Sequence, residues 1–256
     1  MGYSKDDLFT LHWLDNSRAH RILWLLELLG LNYEVKIYFR HPKTWRAPPE
    51  LFRVHPLGKS PILDIDFADG SERLQLLESG NMIQYLLKHY DFDKVLAPKD
   101  RKQRMQVDYF LHYTEGTLQH LLISLLVNSS AKNMAPFPLK SVTKLVGKGI
   151  NNGYYKHEFE LNMIYLENHM RKQGTGFFVG DKLSGADIIL SFPIYENVFD
   201  NMIGVKECTG EKRDMKDLYP QLAKWSKMVS KDPAYRKINK YMEDKVEEYV
   251  RAQANL

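Results

Sequence analysis

The sequence predicts a small α/β domain followed by an all-helical domain. Three observations carry this reading. Strand-like alternation of comparable strength is confined to the first ninety or so residues, apart from a brief Gly176–Gly180. The first two of them flank a single helical segment, the spacing of a strand–helix–strand unit with parallel strands. Beyond residue 100 the apolar pattern is helical. The 256 residues allow one or two domains.

Leu8 to Trp13 reads as the first strand, followed by a tight polar turn, Asp15-Asn16-Ser17. Ala19, Ile22, Leu23, Leu26 and Leu29 then recur at helical spacing until Gly30. Trp24, Leu25 and Leu28 are apolar too, so this helix should be buried on two sides, between a sheet and a second domain. Tyr33, Val35, Ile37 and Phe39 alternate with Glu34, Lys36 and Tyr38 as a second strand. A connection holding Pro42, Pro48 and Pro49 leads to a short helix ending near Val54. Pro61–Phe67 and Arg73–Leu77 form a hairpin about the turn Ala68-Asp69-Gly70-Ser71. A helix with Met82, Ile83, Leu86 and Leu87 follows, capped by Ser79. The α/β domain thus spans 1–91, with a charged linker at 92–100 that contains Pro98. Residues 101–256 carry a long proline-free helix, Lys102–Val127, and a loop at 128–138. Further helices are expected at about 139–172, 184–200, 218–230 and 233–252. A brief apolar stretch, Gly176–Gly180, interrupts them.

Hydrophobic residues are 44% and charged residues 27%, which excludes disorder and collagen-like structure. Cys208 is the single cysteine, so no internal disulfide and no thiolate-rich metal site can form. The net charge of +4 is mild, and Lys99, Arg101, Lys102 and Arg104 read as a solvated helix start. No nucleic-acid partner is expected. Met1–Asp7 is polar, and Ile22–Leu26 is broken by Glu27, far short of the roughly 20 residues of a spanning helix. Asp6 stands where myristoylation wants Ser or Thr. A cytoplasmic protein without a membrane span is expected. Peripheral membrane association stays open, as does peroxisomal import, since Ala254-Asn255-Leu256 loosely resembles an import tripeptide.

Four places could carry chemistry. At the first turn, a hydroxyl beside a helix N-terminus can cap the helix or donate to an anion such as a thiolate. In His55-Pro56-Leu57-Gly58-Lys59-Ser60-Pro61, a phosphate loop is excluded because Arg53 stands where its first glycine belongs. There Ser60-Pro61 opens a strand, and a cis bond would free the Ser60 backbone for a peptide-like ligand. Only about 5–6% of X–Pro bonds are cis, so the residues alone leave the isomer open. Glu78-Ser79-Gly80 is either an ordinary cap with a surface acid or a site for a zwitterionic amino-acid end. Ser184-Gly185-Ala186-Asp187, flanked by Leu183 and Ile188, is a capping box with a hydrophobic staple. His112, Glu115 and His120 lack metal-ligand spacing, and no metal is expected. Cys208 falls in a charged loop.

Taken together, five segments resemble the glutathione transferase family in order and spacing: Trp13–Ala19 with its leucine-rich helix, Ala47–Leu51, His55–Pro61, Leu77–Ser79 and Leu183–Asp187. Asn16-Ser17-Arg18 together with His55–Pro61 looks most like a bacterial and fungal branch. The resemblance covers nearly the whole chain. It implies a thioredoxin-like βαβαββα domain that binds glutathione, a helical domain that binds the electrophile, and a homodimer. Glutathione would be the co-substrate, with no other cofactor. Pro61 would be cis, Ser60 would pair with the cysteinyl part, Glu78 and Ser79 would hold the γ-glutamyl end, and Lys59 the glycine carboxylate. Tyr109, His112, Tyr113 and Gly116 would line the pocket for a small hydrophobic electrophile.

The implied reaction is thiol activation. A free thiol has a pKa near 8.5, and a hydrogen-bond donor beside it favours the thiolate. Attack on an electrophilic carbon would serve detoxification, with attack on a peroxide oxygen as a side activity. Leu14 stands where a serine-type member would carry its thiolate-stabilising serine, and Ser17 where some members carry a cysteine. Ser17 is therefore the expected thiolate donor, with Asn16 second. No cysteine precedes Cys208, so cysteine-dependent glutathione-disulfide chemistry is not expected. The alternative, motivated by Leu14, is a non-catalytic glutathione- or hydrophobic-ligand-binding or assembly module on the same fold.

Overall fold

The computed structural model describes residues 2–131 and 135–254. It holds two packing units, Met1–Ala97 with Val229–Leu256, and Pro98–Met228.

The first unit runs β1 (Leu8–Leu14), α1 (Ala19–Leu28), β2 (Asn32–Tyr38), α2 (Pro49–Val54), β3 (Ile62–Asp66), β4 (Leu74–Leu77) and α3 (Ser79–His89). The strand order is β2-β1-β3-β4; β1 and β2 are parallel, and the other two pairings antiparallel. This is the thioredoxin-like arrangement, and its elements follow the expected order. Period-two alternation gives the sheet two unlike faces. Phe9, Leu11, Trp13, Leu63, Ile65 and Leu76 are buried on one, with α1 and α3. On the other, Leu14 and Ile62 pack with Leu51 of α2, joined by Tyr38, Ala47, Val54 and Leu77.

The second unit comprises α4 (Arg101–Tyr113), α5 (Gln119–Ser130), α6 (Lys140–Ile150), α7 (Lys156–Gln173), α8 (Gly185–Leu190), α9 (Met202–Thr209), α10 (Met215–Leu218) and α11 (Pro220–Val229). Its centre is the carboxylate of Asp187, which is fully buried. It accepts from the N–H of Phe178 (3.0 Å), the indole of Trp225 (2.9 Å), and the N–H and hydroxyl of Ser184 (3.0 and 2.8 Å). The capping box read from the sequence is present. Glu167 of α7 likewise takes the first N–H groups of α11, from Gln221 and Leu222 at 3.0 Å.

The last helix, α12 (Pro233–Ala254), belongs to the first unit. The Trp24 indole donates to Asp232 at 2.9 Å, Tyr235 packs edge-on against Trp24 and His20, and Lys237 pairs with Glu27. So α1 is buried on two sides, as its composition requires. Its outer side meets α12, a helix of the expected helical domain 101–256 that packs as part of the first unit.

Other expectations need correcting. The proline-free segment after Asp100 is not one regular helix: Thr114–Leu118 forms a π-helical turn between α4 and α5, and α5 extends to Ser130. The expected loop at 128–138 therefore starts later, and part of it lies outside the described residues. Expected helices 139–172 and 184–200 each end or continue through a π-helical turn, Asn151–Tyr155 and Ser191–Asp200. Cys208 lies on α9 and is half-buried, not in a charged loop. Gly176–Gly180 forms no strand, since Gly176 and Gly180 turn the chain through left-handed conformations. The terminal tripeptide lies partly outside the described residues.

Candidate functional site

Three segments distant in sequence meet at one edge of the sheet because of register. His12 pairs with Ile62, and Ile62 with Leu77. The turn after β1, the entry to β3 at Ser60-Pro61 and the exit from β4 at Glu78-Ser79 therefore lie side by side. The Ser60-Pro61 bond is cis. It follows Gly58, which has φ +53°; a Cβ there would lie 2.6 Å from the Phe52 ring. The left-handed conformation favours glycine, and the turn brings the chain round into Lys59, which is exposed.

The Ser60 side chain stitches this entry to β1. Its hydroxyl donates to the His12 carbonyl (2.9 Å) and accepts the Leu14 N–H (3.1 Å). The Ser17 hydroxyl lies 3.2 Å away and accepts the Ala19 N–H. A hydroxyl has one proton and two lone pairs. With the Ser60 proton on His12, Ser17 must donate to Ser60, so the Ser17 proton is engaged. Neither Asp15 nor Ser17 serves as the N-cap of α1; that position falls to Arg18, which makes no capping bond. Leu14, the departure from the serine-type pattern, is buried in the α2-side cluster.

Asn16 is exposed and left-handed, φ +51°. Its side-chain amide carries two N–H groups, of which the Asp15 carboxylate takes one at 3.3 Å. The turn is tied down by Arg40, whose backbone N–H donates to the Asp15 carboxylate (2.6 Å) and whose guanidinium donates to the carbonyls of Asp15 (3.0 Å), Asn16 (3.4 Å) and Trp45 (3.1 Å). Sequence reading missed Arg40, because a cation directly after an alternating strand carries no distinguishing signal.

At the other side of the edge, Glu78 is exposed with φ +65° and takes the N-cap position of α3 without a capping bond. Ser79 was expected to be that cap; it is instead the first helical residue, and it is buried.

Beneath the turn lies a polar network not singled out from the sequence. The His12 ring bridges the Tyr38 hydroxyl (2.8 Å at Nδ1) and the Asp64 carboxylate (3.1 Å at Nε2). Asp64 also accepts from Gln75 at 2.9 Å. Burial alone would raise the Asp64 carboxyl, but hydrogen bonds from His12 and Gln75 and the charges of His12 and Arg73 hold it below its ordinary value. As an ionised acceptor it takes the Nε2 proton of His12, while Nδ1 faces the Tyr38 hydroxyl. Burial, with the charges of Asp64 and Glu50, keeps Tyr38 protonated by raising its pKa. His12 in turn offers its carbonyl to Ser60.

The expected electrophile residues lie in the second unit, Tyr109, His112 and Tyr113 on α4 and Gly116 in the following π-helical turn. Tyr109 stacks on Tyr113 and takes a hydrogen bond from Tyr165 of α7 (3.0 Å), and Tyr113 donates to Asn162 (2.6 Å). The two tyrosines thus share contacts with α7, while His112 and Gly116 are exposed. No group of three or more His, Cys, Asp or Glu side chains suited to a metal occurs among the described residues. No helix among them is long and apolar enough to cross a membrane.

Residues 17–89 match the family model for the glutathione S-transferase N-terminal domain, and residues 143–245 that for the C-terminal domain. Glutathione S-transferase 1 of Saccharomyces cerevisiae is 35% identical over 229 residues, covering 89% of this chain and 92% of that one. The chain belongs to the glutathione S-transferase family. A solved glutathione S-transferase from Actinobacillus pleuropneumoniae superposes with a TM-score of 0.67 at 30% identity, covering 92% of this chain and 93% of its own. A glutathione transferase homologue from Lodderomyces elongisporus, solved with two glutathione molecules per subunit, superposes with a TM-score of 0.66 at 19% identity, covering 90% and 96%. The latter speaks to fold alone.

Proposed function

We propose that this glutathione S-transferase family member binds glutathione at the sheet edge and ionises its thiol for attack on a small hydrophobic electrophile. The observation that carries the proposal is the register His12–Ile62–Leu77, which gathers the cis Ser60-Pro61 entry, the Asn16 turn and the uncapped start of α3. The glutathione bound by the L. elongisporus homologue supports the choice of ligand through shared fold. In this reading the Ser60 backbone faces the cysteinyl part, Glu78 takes the γ-glutamyl ammonium, the N–H groups opening α3 with Ser79 take its carboxylate, and Lys59 takes the glycine carboxylate.

The proton count favours Asn16 over Ser17 as the thiolate donor. Ser17 spends its proton on Ser60, whereas Asn16 keeps an amide N–H beyond the one given to Asp15. The thiol proton leaves to solvent, and the thiolate sulfur bonds to the electrophilic carbon as the leaving group departs with its electron pair. With a hydroperoxide, the thiolate takes the terminal oxygen and releases an alcohol. A second glutathione then displaces water from the sulfenic acid to give the disulfide. Tyr109, His112, Tyr113 and Gly116 are carried as the electrophile-facing set.

The test is turnover of an aryl halide and of a hydroperoxide, with ultraviolet detection of bound thiolate. Asn16→Ala should raise the bound thiol's pKa by about one unit, a loss of about three- to eightfold in thiolate and kcat at neutral pH, and Ser17→Ala by less. Glutathione binding without thiolate formation would favour the non-catalytic module. The reverse order of the two variants would return the donor role to Ser17.

A further inference from the structure

Arg40 joins the turn that carries Asn16 to a second loop. Its guanidinium reaches three carbonyls: Nε that of Asp15, one terminal nitrogen that of Asn16, and the other that of Trp45. Its own N–H adds a bond to the Asp15 carboxylate. The second loop is closed on itself. His41 exchanges backbone bonds with Arg46 and Trp45 at 2.9 and 2.8 Å, and its Nδ1 accepts the N–H groups of Lys43 and Thr44. Each loop carries a left-handed non-glycine residue, Asn16 at φ +51° and Trp45 at +57°. Such conformations persist only where the surroundings over-determine them, and in both cases the carbonyl held by Arg40 belongs to the left-handed residue itself. A guanidinium spreads its donors over three nitrogens in a rigid planar fork, whereas an ammonium carries three rotatable donors on one nitrogen.

We infer that Arg40 is a positioning residue for thiol activation: it locks the Asp15-Asn16 turn against the 41–46 loop and so fixes where the Asn16 amide points. The inference rests on the proposed thiolate site. Arg40 acts through Asn16 and need not touch glutathione.

The experiment follows bound thiolate by ultraviolet absorbance against pH, with kcat and KM for glutathione, in wild type, Arg40→Ala, Arg40→Lys, Asn16→Ala and the double variant Arg40→Ala/Asn16→Ala. Circular dichroism and thermal melts establish that each is folded; if Arg40→Ala is not, Arg40→Lys carries the test. Arg40→Ala should raise the bound thiol's pKa by about one unit and lower kcat about three- to eightfold at neutral pH, with KM changed less than about twofold. Arg40→Lys should fall between it and wild type. The double variant should be no worse than Asn16→Ala, because both act through one group. A folded Arg40→Ala with the wild-type thiol pKa overturns the inference and leaves the thiolate site standing. So does a rise in KM with kcat unchanged, or full additivity with Asn16→Ala. A wild-type protein that forms no thiolate removes the site and the inference together.

Discussion

Two helices of this protein open on the same dipeptide and begin differently. At α8, Ser184 precedes Gly185 at the N-cap, and its N–H and hydroxyl both donate to Asp187. At α3, Ser79 precedes Gly80 but already lies inside the helix, and the cap position belongs to Glu78 in a left-handed conformation without a capping bond. A shift of one residue separates them. The chain's own atoms close the first junction, which is a folding device. The second leaves its first N–H groups without a capping side chain, beside an exposed carboxylate, and so suits a zwitterionic ligand. A Ser-Gly pair at a helix start therefore says nothing about function until the phase of the helix is known.

The comparison can be broken from either side. The largest effect is expected at α8. Asp187→Ala leaves four buried donors without an acceptor and should cost about 3 kcal/mol of stability, read by denaturant unfolding. Burial raises the Asp187 carboxyl to about 6 despite its four donors. A folded pKa above the unfolded value means the folded state holds the proton longer. The proton-linked part of the Asp187 contribution to stability is then full below about pH 4 and lost as pH rises through about 6, while the four hydrogen bonds it accepts remain. Asp187→Asn should flatten that part of the pH–stability curve. At α3, Glu78→Gln should raise KM for glutathione about tenfold, the loss of one charge-assisted bond of about 1.4 kcal/mol, with little change in melting temperature. The smallest effect is expected for Ser184→Ala, about 1 kcal/mol of stability with glutathione kinetics unchanged. A kinetic effect at Ser184, or a large stability loss at Glu78, would erase the distinction between the junctions.

Much of this was legible in the residues, because the signals were local. Alternation marked β2, the Asp69-Gly70 turn marked the β3–β4 hairpin, and Ser184 to Asp187 spelled its own cap. What escaped was set by distance or by phase. The Ser17–Ser60 contact spans 43 residues, and it determines where the Ser17 proton goes. The packing of α12 on α1 joins Trp24 to Asp232 across 208 residues, although the apolar girth of α1 announced that something must cover it. Arg40 looked like any cation at the end of a strand. The helix under Cys208 was missed amid its polar neighbours, although Asn201 at its start and Gly210, left-handed at its end, were usable boundary signals.

The most direct measurement is the pH titration of bound glutathione by thiolate absorbance in the wild-type protein. A bound thiol ionising about one to two units below the free value near 8.5 is the result predicted by a site that gathers the Asn16 turn, Ser60-Pro61 and the open start of α3. Glutathione that binds with its free-solution pKa would contradict it.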